Sequence, residues 1–372
     1  MSQTTIIAGQ VLTPEGFVGG RLHCTAAIRR FEASADAPAD RFVLPGFIDL
    51  HVHGGGGADC MAGADAVRRM ARFHAGHGTT ALLATTVTAP RPDLLAAFRG
   101  IGTAMSAADE GSARVLGVHL EGPFISPKAL GAQPPFAIGP DLGLVDELAA
   151  LAPIRVATMA PEIDQGGALL AHFSGHGARA QIGHTTCSYA QARAALAAGA
   201  AGFTHLFNAM SGLHHRRAGA VGAALAHADR AELILDFVHV EAGAARVALR
   251  AIPNLYCITD AVAATGMPPG EYRLGQHRIF KEESAVRLAD GTLAGSVLTM
   301  DRALRNLLHL GLPLEQAARR CATLQADYLG LADRGRLVQG AVADIVVVDP
   351  QGRLEAVFAE GRPIAAPAHG EF

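Results

Sequence analysis

Histidine and acidic side chains stand at the ends of several apolar runs in this sequence, and such side chains can bind a metal ion. His51 and His53 end the first of these runs and are separated by one residue. In a β-strand, side chains at this spacing project to the same face, so the two imidazoles can hold one ion. Glu121 ends another run, where an unpaired charge among apolar neighbours would be costly. A metal ion or another cation is therefore expected beside it.

Three further apolar runs end on an ionisable side chain. They end on His184 in Gln-Ile-Gly-His-Thr, on His205 in Phe-Thr-His-Leu-Phe-Asn and on Asp260 in Cys-Ile-Thr-Asp-Ala. Any one of these histidines could be a core residue whose ring bonds a backbone carbonyl group. The same pattern at five strand ends indicates one shared site instead.

The residue types at these ends predict a metal centre with an open position. A carboxylate and two imidazoles from separate strands supply three protein ligands and leave room for water, which is the composition of a catalytic zinc-type site. The predicted primary ligands are Glu121, His184 and His205. A second position would share Glu121 and add His51, His53 and, as a further candidate, Asp260. We expect one or two divalent ions per chain, with zinc ahead of iron, manganese and cobalt.

Asp260 is the predicted catalytic residue. A divalent ion lowers the pKa of bound water to about 7 and polarises a carbonyl group. Asp260 would then be the general base that takes the water proton and returns it to a leaving amine. A nucleophilic serine is the rival chemistry, but the chain contains no Gly-x-Ser-x-Gly turn.

Eight short apolar or β-branched runs alternate with Ala- and Leu-rich helical stretches. The predicted strands are Phe47–His53, Thr80–Val87, Val115–Glu121, Ile154–Ala160, Ala180–His184, Gly202–Phe207, Leu233–Val240 and Leu255–Asp260. Helices are predicted in the intervals between strands, for example at Ala64–His77, Tyr189–Ala198 and Ala242–Ala251. This repeated β-α pattern predicts an α/β fold, a (β/α)8 TIM-like barrel whose active site lies where the strands end.

Short strands at both ends of the chain lie outside the barrel count. They are separated by Gly, Pro and Asp turns and could pair into one small domain. We therefore expect a small β-sandwich domain built from residues 1–44 and 337–372, and a barrel over residues 45–336. The punctuation Leu44-Pro-Gly marks the first boundary.

The composition leaves room for a large core and gives the chain little net charge. About half of the 372 residues are apolar, and 31 basic against 34 acidic residues give a formal charge of −3. No nucleic-acid or membrane partner is expected from this balance. No signal pattern or apolar stretch near the ~18 residues that span a bilayer is present, so we expect a cytoplasmic protein. The five scattered cysteines argue against a disulfide framework and a thiolate zinc site.

Several longer motifs together carry a family resemblance. They are Leu44-Pro-Gly-Phe-Ile-Asp-Leu-His-Val-His-Gly, Gly117-Val-His-Leu-Glu-Gly-Pro, Thr204-His-Leu-Phe-Asn-Ala-Met, Ile258-Thr-Asp-Ala and Leu293-Ala-Gly-Ser-Val-Leu-Thr-Met. With them the chain resembles the N-acetylglucosamine-6-phosphate deacetylase family of the amidohydrolase superfamily. The fourth predicted strand has no lysine, which distinguishes the chain from dihydroorotases and ureases.

The resemblance implies a hydrolase that converts N-acetylglucosamine 6-phosphate to glucosamine 6-phosphate and acetate. It also makes Glu121, His184 and His205 the metal ligands and Asp260 the acid/base. Because the His51-x-His53 pair is kept, the chain resembles the members that can hold two ions. The implied sugar site comprises Gln133, Asn208, Ala209, Arg216, His239 and the backbone at Leu298. A homodimer is implied as well, with Arg216 binding the phosphate and the neighbouring subunit sharing in that contact.

One departure from the family pattern bears on the substrate. Members usually read Asp-Gly-x-His after the seventh strand, whereas this chain reads Asp236-Phe-Val-His. Phe237 either reshapes the pocket or packs behind the strand, so N-acetylgalactosamine 6-phosphate or another N-acyl amine stays open as substrate. A non-catalytic sugar-phosphate-binding barrel is the alternative of a different class. Such a protein would be expected to lose a ligand or the acid/base, and all are present here.

Overall fold

The computed structural model describes residues 4–106 and 109–365, arranged as strands β1 to β20 and helices α1 to α10. The strands are β1 (Thr5–Thr13), β2 (Gly16–Cys24), β3 (Ile28–Ala33), β4 (Phe42–Pro45), β5 (Phe47–Val52), β6 (Gly54–Gly55), β7 (Ala58–Asp59), β8 (Thr79–Thr86), β9 (Arg114–Glu121), β10 (Ile154–Met159), β11 (Arg179–Ile182), β12 (Gly202–Phe203), β13 (Arg230–Ile234), β14 (Asn254–Ile258), β15 (Gly270–Leu274), β16 (His277–Glu282), β17 (Ala285–Arg287), β18 (Ile345–Val348), β19 (Leu354–Ala359) and β20 (Arg362–Ile364).

The helices alternate with the strands of the middle region and follow them near the end of the chain. They are α1 (Ala64–Gly76), α2 (Arg91–Ser106), α3 (Leu142–Ala149), α4 (Ala168–Gly175), α5 (Tyr189–Ala197), α6 (Gly219–His227), α7 (Ala242–Ala251), α8 (Met300–His309), α9 (Leu314–Cys321) and α10 (Thr323–Leu329). Among the helices in the described ranges, none is both long enough and apolar enough to cross a membrane.

Eight parallel strands form a TIM-like barrel, as the sequence predicts. One sheet runs in the order β12-β11-β10-β9-β8-β5, and β13 pairs with β14. Two links join these sheets into a ring: the amide of Leu206 donates to Glu232 O at 2.9 Å, and Val52 bridges to Ala261 in parallel. Strands β5 and β8 are buried at every position, as expected for a parallel sheet covered by helices.

Two strand predictions need correction. The seventh strand runs from Arg230 to Ile234 and not to Val240, because Asp236 Oδ1 accepts hydrogen bonds from the amides of Val238 and His239 and folds that segment into a turn. The sixth strand ends at Phe203 and not at Phe207, because the chain turns at His205, where φ is 27°.

Strands from both ends of the chain form one seven-stranded sheet in the order β20-β19-β18-β4-β1-β2-β3. Its centre is β4, which pairs parallel with β1 and antiparallel with β18. This strand crosses the predicted boundary after residue 44, and the sequence reading missed both β3 and β4. Residues 1–3 and 366–372 of the predicted terminal domain lie outside the described residues.

A three-stranded antiparallel sheet, β15-β16-β17, is inserted after the last barrel strand and was not predicted. Leu274, Ile279 and Val286 of this sheet pack against Val87 and Val262, which follow β8 and β14. The inserted sheet therefore covers part of the carboxyl end of the barrel. Its signal in the sequence is an alternation of apolar and polar residues on both sides of Gly275, which has φ 53°.

Candidate metal centre

The barrel brings six of the predicted site residues together at the carboxyl ends of its strands. His51 lies within β5, His53 follows it directly, and Glu121 is the last residue of β9. His184, His205 and Asp260 each stand two residues beyond the end of a strand, after β11, β12 and β14. All six side chains are buried or nearly so.

Glu121, His184 and His205 form a compact triangle of donor atoms. Nε2 of His184 and Nε2 of His205 lie 3.1 and 2.9 Å from Glu121 Oε1, and 3.0 Å from each other. Ligands that bind one zinc ion tetrahedrally, with bonds of about 2.0–2.2 Å, would lie roughly 3.3 Å apart. The separations in this triangle therefore fit a single divalent ion, with small outward shifts.

A second group of donors adjoins the first. His53 Nε2 lies 3.2 Å from His51 Nε2, 3.2 Å from Glu121 Oε2 and 3.1 Å from Asp260 Oδ1. His51 Nε2 is 3.5 Å from the same oxygen of Asp260. Glu121 thus reaches His53 through one carboxylate oxygen and the His184–His205 pair through the other. These residues fit a second ion that shares Glu121 with the first.

Contacts behind three of the imidazoles fix which ring nitrogen faces the centre. Nδ1 of His53 donates to Thr85 O and Nδ1 of His184 to Ala129 O, both at 2.9 Å. His51 Nδ1 lies 2.9 Å from Glu232 Oε2, a fully buried carboxylate. A proton on Nδ1 leaves the lone pair of Nε2 free for a metal ion. Among the described residues, Nδ1 of His205 has no hydrogen-bond partner.

Sequence reasoning missed Glu232. Its signal is an acidic residue inside an otherwise apolar strand, Arg230-Ala-Glu-Leu-Ile. Besides its contact with His51, Glu232 Oε2 accepts a hydrogen bond from the amide of His205 at 3.1 Å. It therefore supports one residue in each group of donors.

The electrostatics of the cluster favour ionised carboxylates. Burial alone would raise the pKa of Glu121, but the surrounding imidazoles, His51 first, hold this pKa well below its usual range. Burial likewise opposes ionisation of Asp260, yet His51 and His53 lower its pKa to about 2. Asp260 is therefore a carboxylate at neutral pH and can accept a proton.

The centre opens into a cavity of about 370 Å³. Four predicted substrate residues line this cavity: Gln133, Asn208, Ala209 and His239. Arg216 is exposed on a loop and does not line the cavity. The side chain of Leu298 is buried in the core, and the predicted contact through its backbone stays a prediction. The cavity is also lined by Arg287 at the end of β17, which sequence reasoning missed because β17 itself was not predicted.

Two of the cavity residues are held in place by neighbours. Gln133 donates through Nε2 to Glu121 and accepts through Oε1 from the amide of Thr88. His239 Nδ1 lies 2.7 Å from Asp236 Oδ2, and this contact, set against burial, raises the pKa of His239. Both side chains thus reach the cavity in fixed orientations.

Phe237 turns away from the cavity. Its ring packs against the core and against His309, with ring centroids 5.8 Å apart, and it does not line the cavity. The residue has φ 63°, in the left-handed region that favours glycine. Of the two readings left open for this departure, packing behind the strand is the one observed.

Comparisons with known proteins agree with this geometry. The model of the amidohydrolase family matches residues 42–365. An N-acetylglucosamine-6-phosphate deacetylase of Lysinibacillus sphaericus is 38% identical over 330 residues, which cover 87% of this chain and 85% of the relative. An N-acetylgalactosamine-6-phosphate deacetylase of Escherichia coli O157:H7 is 35% identical and is covered to 97%, against 95% of this chain.

A solved structure extends the likeness to three dimensions. A variant N-acetyl-D-glucosamine-6-phosphate deacetylase of Mycobacterium smegmatis, in complex with N-acetyl-D-glucosamine-6-phosphate, superposes with a TM-score of 0.90 at 35% identity. The superposition covers 98% of this chain and 100% of that one. The chain therefore belongs to the N-acetylglucosamine-6-phosphate deacetylase family of the amidohydrolases.

Proposed function

We propose that this protein hydrolyses the acetamide of N-acetylglucosamine 6-phosphate to glucosamine 6-phosphate and acetate. The observation that carries the proposal is that Asp260 lines one cavity together with four metal-type ligands, His53, Glu121, His184 and His205. The fifth, His51, lies beside His53 and is fully buried. N-acetylgalactosamine 6-phosphate is the second candidate, because one relative at 35% identity bears that name. Phe237, the departure that raised this alternative, packs away from the cavity and does not favour it.

Two ion positions are proposed. The first would be held by Glu121, His184 and His205, and the second by His51, His53 and Asp260 with Glu121 shared. A divalent ion held there, zinc first among the candidates, would polarise the acetamide carbonyl group and lower the pKa of water at the site to about 7. The donor distances and the ring orientations of the histidines support this assignment.

Asp260 is proposed as general base and then general acid. As a carboxylate of low pKa, it can accept a proton from the attacking water while the water oxygen bonds to the acetyl carbon. When the C–N bond breaks, Asp260 would return that proton to the amine nitrogen. Acetate and the free amino sugar are then the products, and the carboxylate of Asp260 is restored.

Recognition of the phosphate is assigned to Arg287 and His239 of the same chain. Both side chains line the cavity, so a phosphate group bound there could contact the two of them. The planar guanidinium group of an arginine can donate two parallel hydrogen bonds to a phosphate group. Because the 6-phosphate does not react, its binding can position the acetamide for hydrolysis. Arg216 lies outside the cavity of its own chain, so we propose that it reaches the phosphate of a neighbouring subunit in a homodimer.

The proposal extends to the organisation of the protein. The chain is proposed to act in the cytoplasm, with residues 45–336 as the catalytic barrel and residues 1–44 and 337–372 as one accessory domain. Packing of the terminal seven-stranded sheet into a two-layer sandwich belongs to the same proposal.

A panel of N-acetylated sugars with and without a 6-phosphate, assayed for released acetate, tests the proposed substrate. We expect the 6-phosphates to be preferred, with N-acetylglucosamine 6-phosphate ahead of its galactose isomer. Arg287→Ala should cost roughly 2–4 kcal/mol in kcat/KM for the phosphorylated sugar and almost nothing for the unphosphorylated one. Arg216→Ala should show the same selectivity. Equal losses on both sugars would show that these arginines support loops and do not bind phosphate.

A further inference from the structure

A second cluster of metal-type side chains lies on the surface of the barrel, away from the site described above. Nε2 of His172 and Nε2 of His176 lie 2.7 and 2.8 Å from Asp146 Oδ1. The three donor atoms all lie within 4.8 Å of one another. None of these residues lines the active-site cavity, so the cluster is a separate feature of the fold.

The local structure directs these side chains toward one point. His172 lies in α4 and His176 directly follows it, so a spacing of four residues puts both imidazoles on one face. Asp146 reaches them from α3, in the neighbouring β-α unit. Small residues beside the histidines, Ala171 and Gly175, leave a depression in the surface next to both rings. Space for water ligands is therefore available around the point of convergence.

The carboxylate of Asp146 is available to bind a cation. Within the described part of the chain, Asp146 forms no ion pair with Lys or Arg, and its contacts of this kind are with the two imidazoles. The side chains of Asp146, His172 and His176 are 57%, 27% and 32% exposed, so they can separate slightly at little cost. Zinc ligands would need to move outward by about 0.5 Å to reach tetrahedral separations.

We propose that Asp146, His172 and His176 form a peripheral site for a borderline divalent cation, Zn²⁺, Ni²⁺ or Cu²⁺, that ties α3 to α4. Imidazole ligands suit these ions, whereas Mg²⁺ and Ca²⁺ prefer sites made of oxygen ligands alone. Three protein ligands with open positions make a site that exchanges its ion readily. The site is independent of the proposed deacetylation, because it shares no residue with the catalytic cavity.

Counting zinc bound to the complete protein at a buffered free Zn²⁺ concentration tests this site. Wild-type protein should hold one more Zn²⁺ per chain than the variant His172→Ala/His176→Ala, and the ions of the active site should be unchanged in number. Asp146→Asn should weaken binding of that additional ion at least tenfold. Zinc should also raise the unfolding midpoint of the wild type more than that of the double variant.

The matched control is His214→Ala/His215→Ala, which removes another exposed histidine pair, with ring centroids 4.3 Å apart. This control should keep the zinc count of the wild type. Equal counts in wild type and in His172→Ala/His176→Ala would overturn the proposal. Loss of one ion from the control as well would also overturn it, because the ion would then bind adventitiously to surface histidines.

Discussion

The strands of the barrel deliver their ligands to the metal centre in two different ways. His51 and Glu121 lie within regular extended strands, β5 and β9. His184, His205 and Asp260 stand beyond the ends of their strands, with φ angles of 44°, 27° and 51°. The backbone of an L-residue rarely adopts such φ angles, and each instance costs roughly 1–3 kcal/mol.

The residues with positive φ need support from the rest of the fold, and this support is found at the strand ends of the barrel. Neighbouring strands hold the turned residues in place. The amide of Asp260 donates to His51 O at 2.8 Å, and the amide of Thr185, just after His184, donates to Ala209 O at 3.0 Å. The extended ligands follow from strand alternation, whereas the turned ligands depend on contacts with the rest of the barrel. Substitutions in the two groups should therefore have different effects.

Loss of a turned ligand from the Glu121–His184–His205 triangle should have the largest effect. His184→Ala or His205→Ala removes one of three ligands of the first ion and should abolish both its binding and the deacetylation. His51→Ala removes a ligand of the second position and should lose at most one of two ions. Elemental analysis of the purified variants measures this contrast. Equal metal loss in all three variants would remove the distinction between the two positions.

Asp260→Asn tests the role of Asp260 in proton transfer without changing the backbone turn at this residue. Asparagine tolerates positive φ, so the fold should be retained, together with the ion that Glu121, His184 and His205 are proposed to hold. An amide cannot accept the water proton, and kcat should fall by about 10²–10⁴-fold or more, because the residue is proposed to serve both halves of the reaction. Steady-state kinetics measures the fall in kcat, and circular dichroism checks that the fold is retained. A tenfold loss or less would assign the proton transfer to a residue other than Asp260.

Glu232→Gln should weaken binding at the second position without unfolding the protein. The amide keeps the size of the carboxylate but not the charge that orients His51. Loss of such a partner typically costs about 10–100-fold in metal affinity. Competition with a chelator of known affinity measures each ion separately. Glu360→Gln, a partly buried acid of the terminal sheet, is the matched control. Unchanged affinity in Glu232→Gln would mean that Glu232 does not position His51.

Substitution of Phe237, a strained residue outside the cavity, should have the smallest effect. Phe237→Gly relieves the positive φ but loses the packing of the ring on His309, so the free energy of unfolding should change by less than about 1 kcal/mol. Phe237→Ala loses the packing and keeps the strain, and should be less stable than the glycine variant. Denaturant unfolding measures both. A large change in KM for either variant would place Phe237 in substrate binding after all.

The sequence predicts the barrel well where helices and buried strands alternate. Helix α7 has the predicted bounds, and β5, β8, β9 and β10 are each within one residue of prediction at both ends. The sequence predicts the seventh strand too late in the chain, because the run Leu233–Val240 is mostly apolar and the turn that Asp236 caps is not evident from it. Apolar content alone does not reveal such a cap.

The metal-type residues could be found from sequence because each lies near the end of an apolar strand or just beyond it, in a barrel whose strand ends meet. The residues that support these ligands or line the cavity, Glu232 and Arg287, could not be found from sequence. Glu232 becomes informative only when β13 is seen to lie beside His51, and Arg287 only when the inserted sheet is seen to cover the cavity. Arg216 stands apart from the cavity of its own chain.

Metal-dependent hydrolysis of an N-acetylated sugar phosphate is tested most directly by one measurement. Acetate release from N-acetylglucosamine 6-phosphate should be followed with the purified protein, after chelation, and after the return of Zn²⁺. We expect release to fall to background on chelation and to recover with zinc, while Asp260→Asn binds zinc and stays inactive at every stage. Full activity in metal-free protein, or no acetate from this substrate under any condition, would contradict the account.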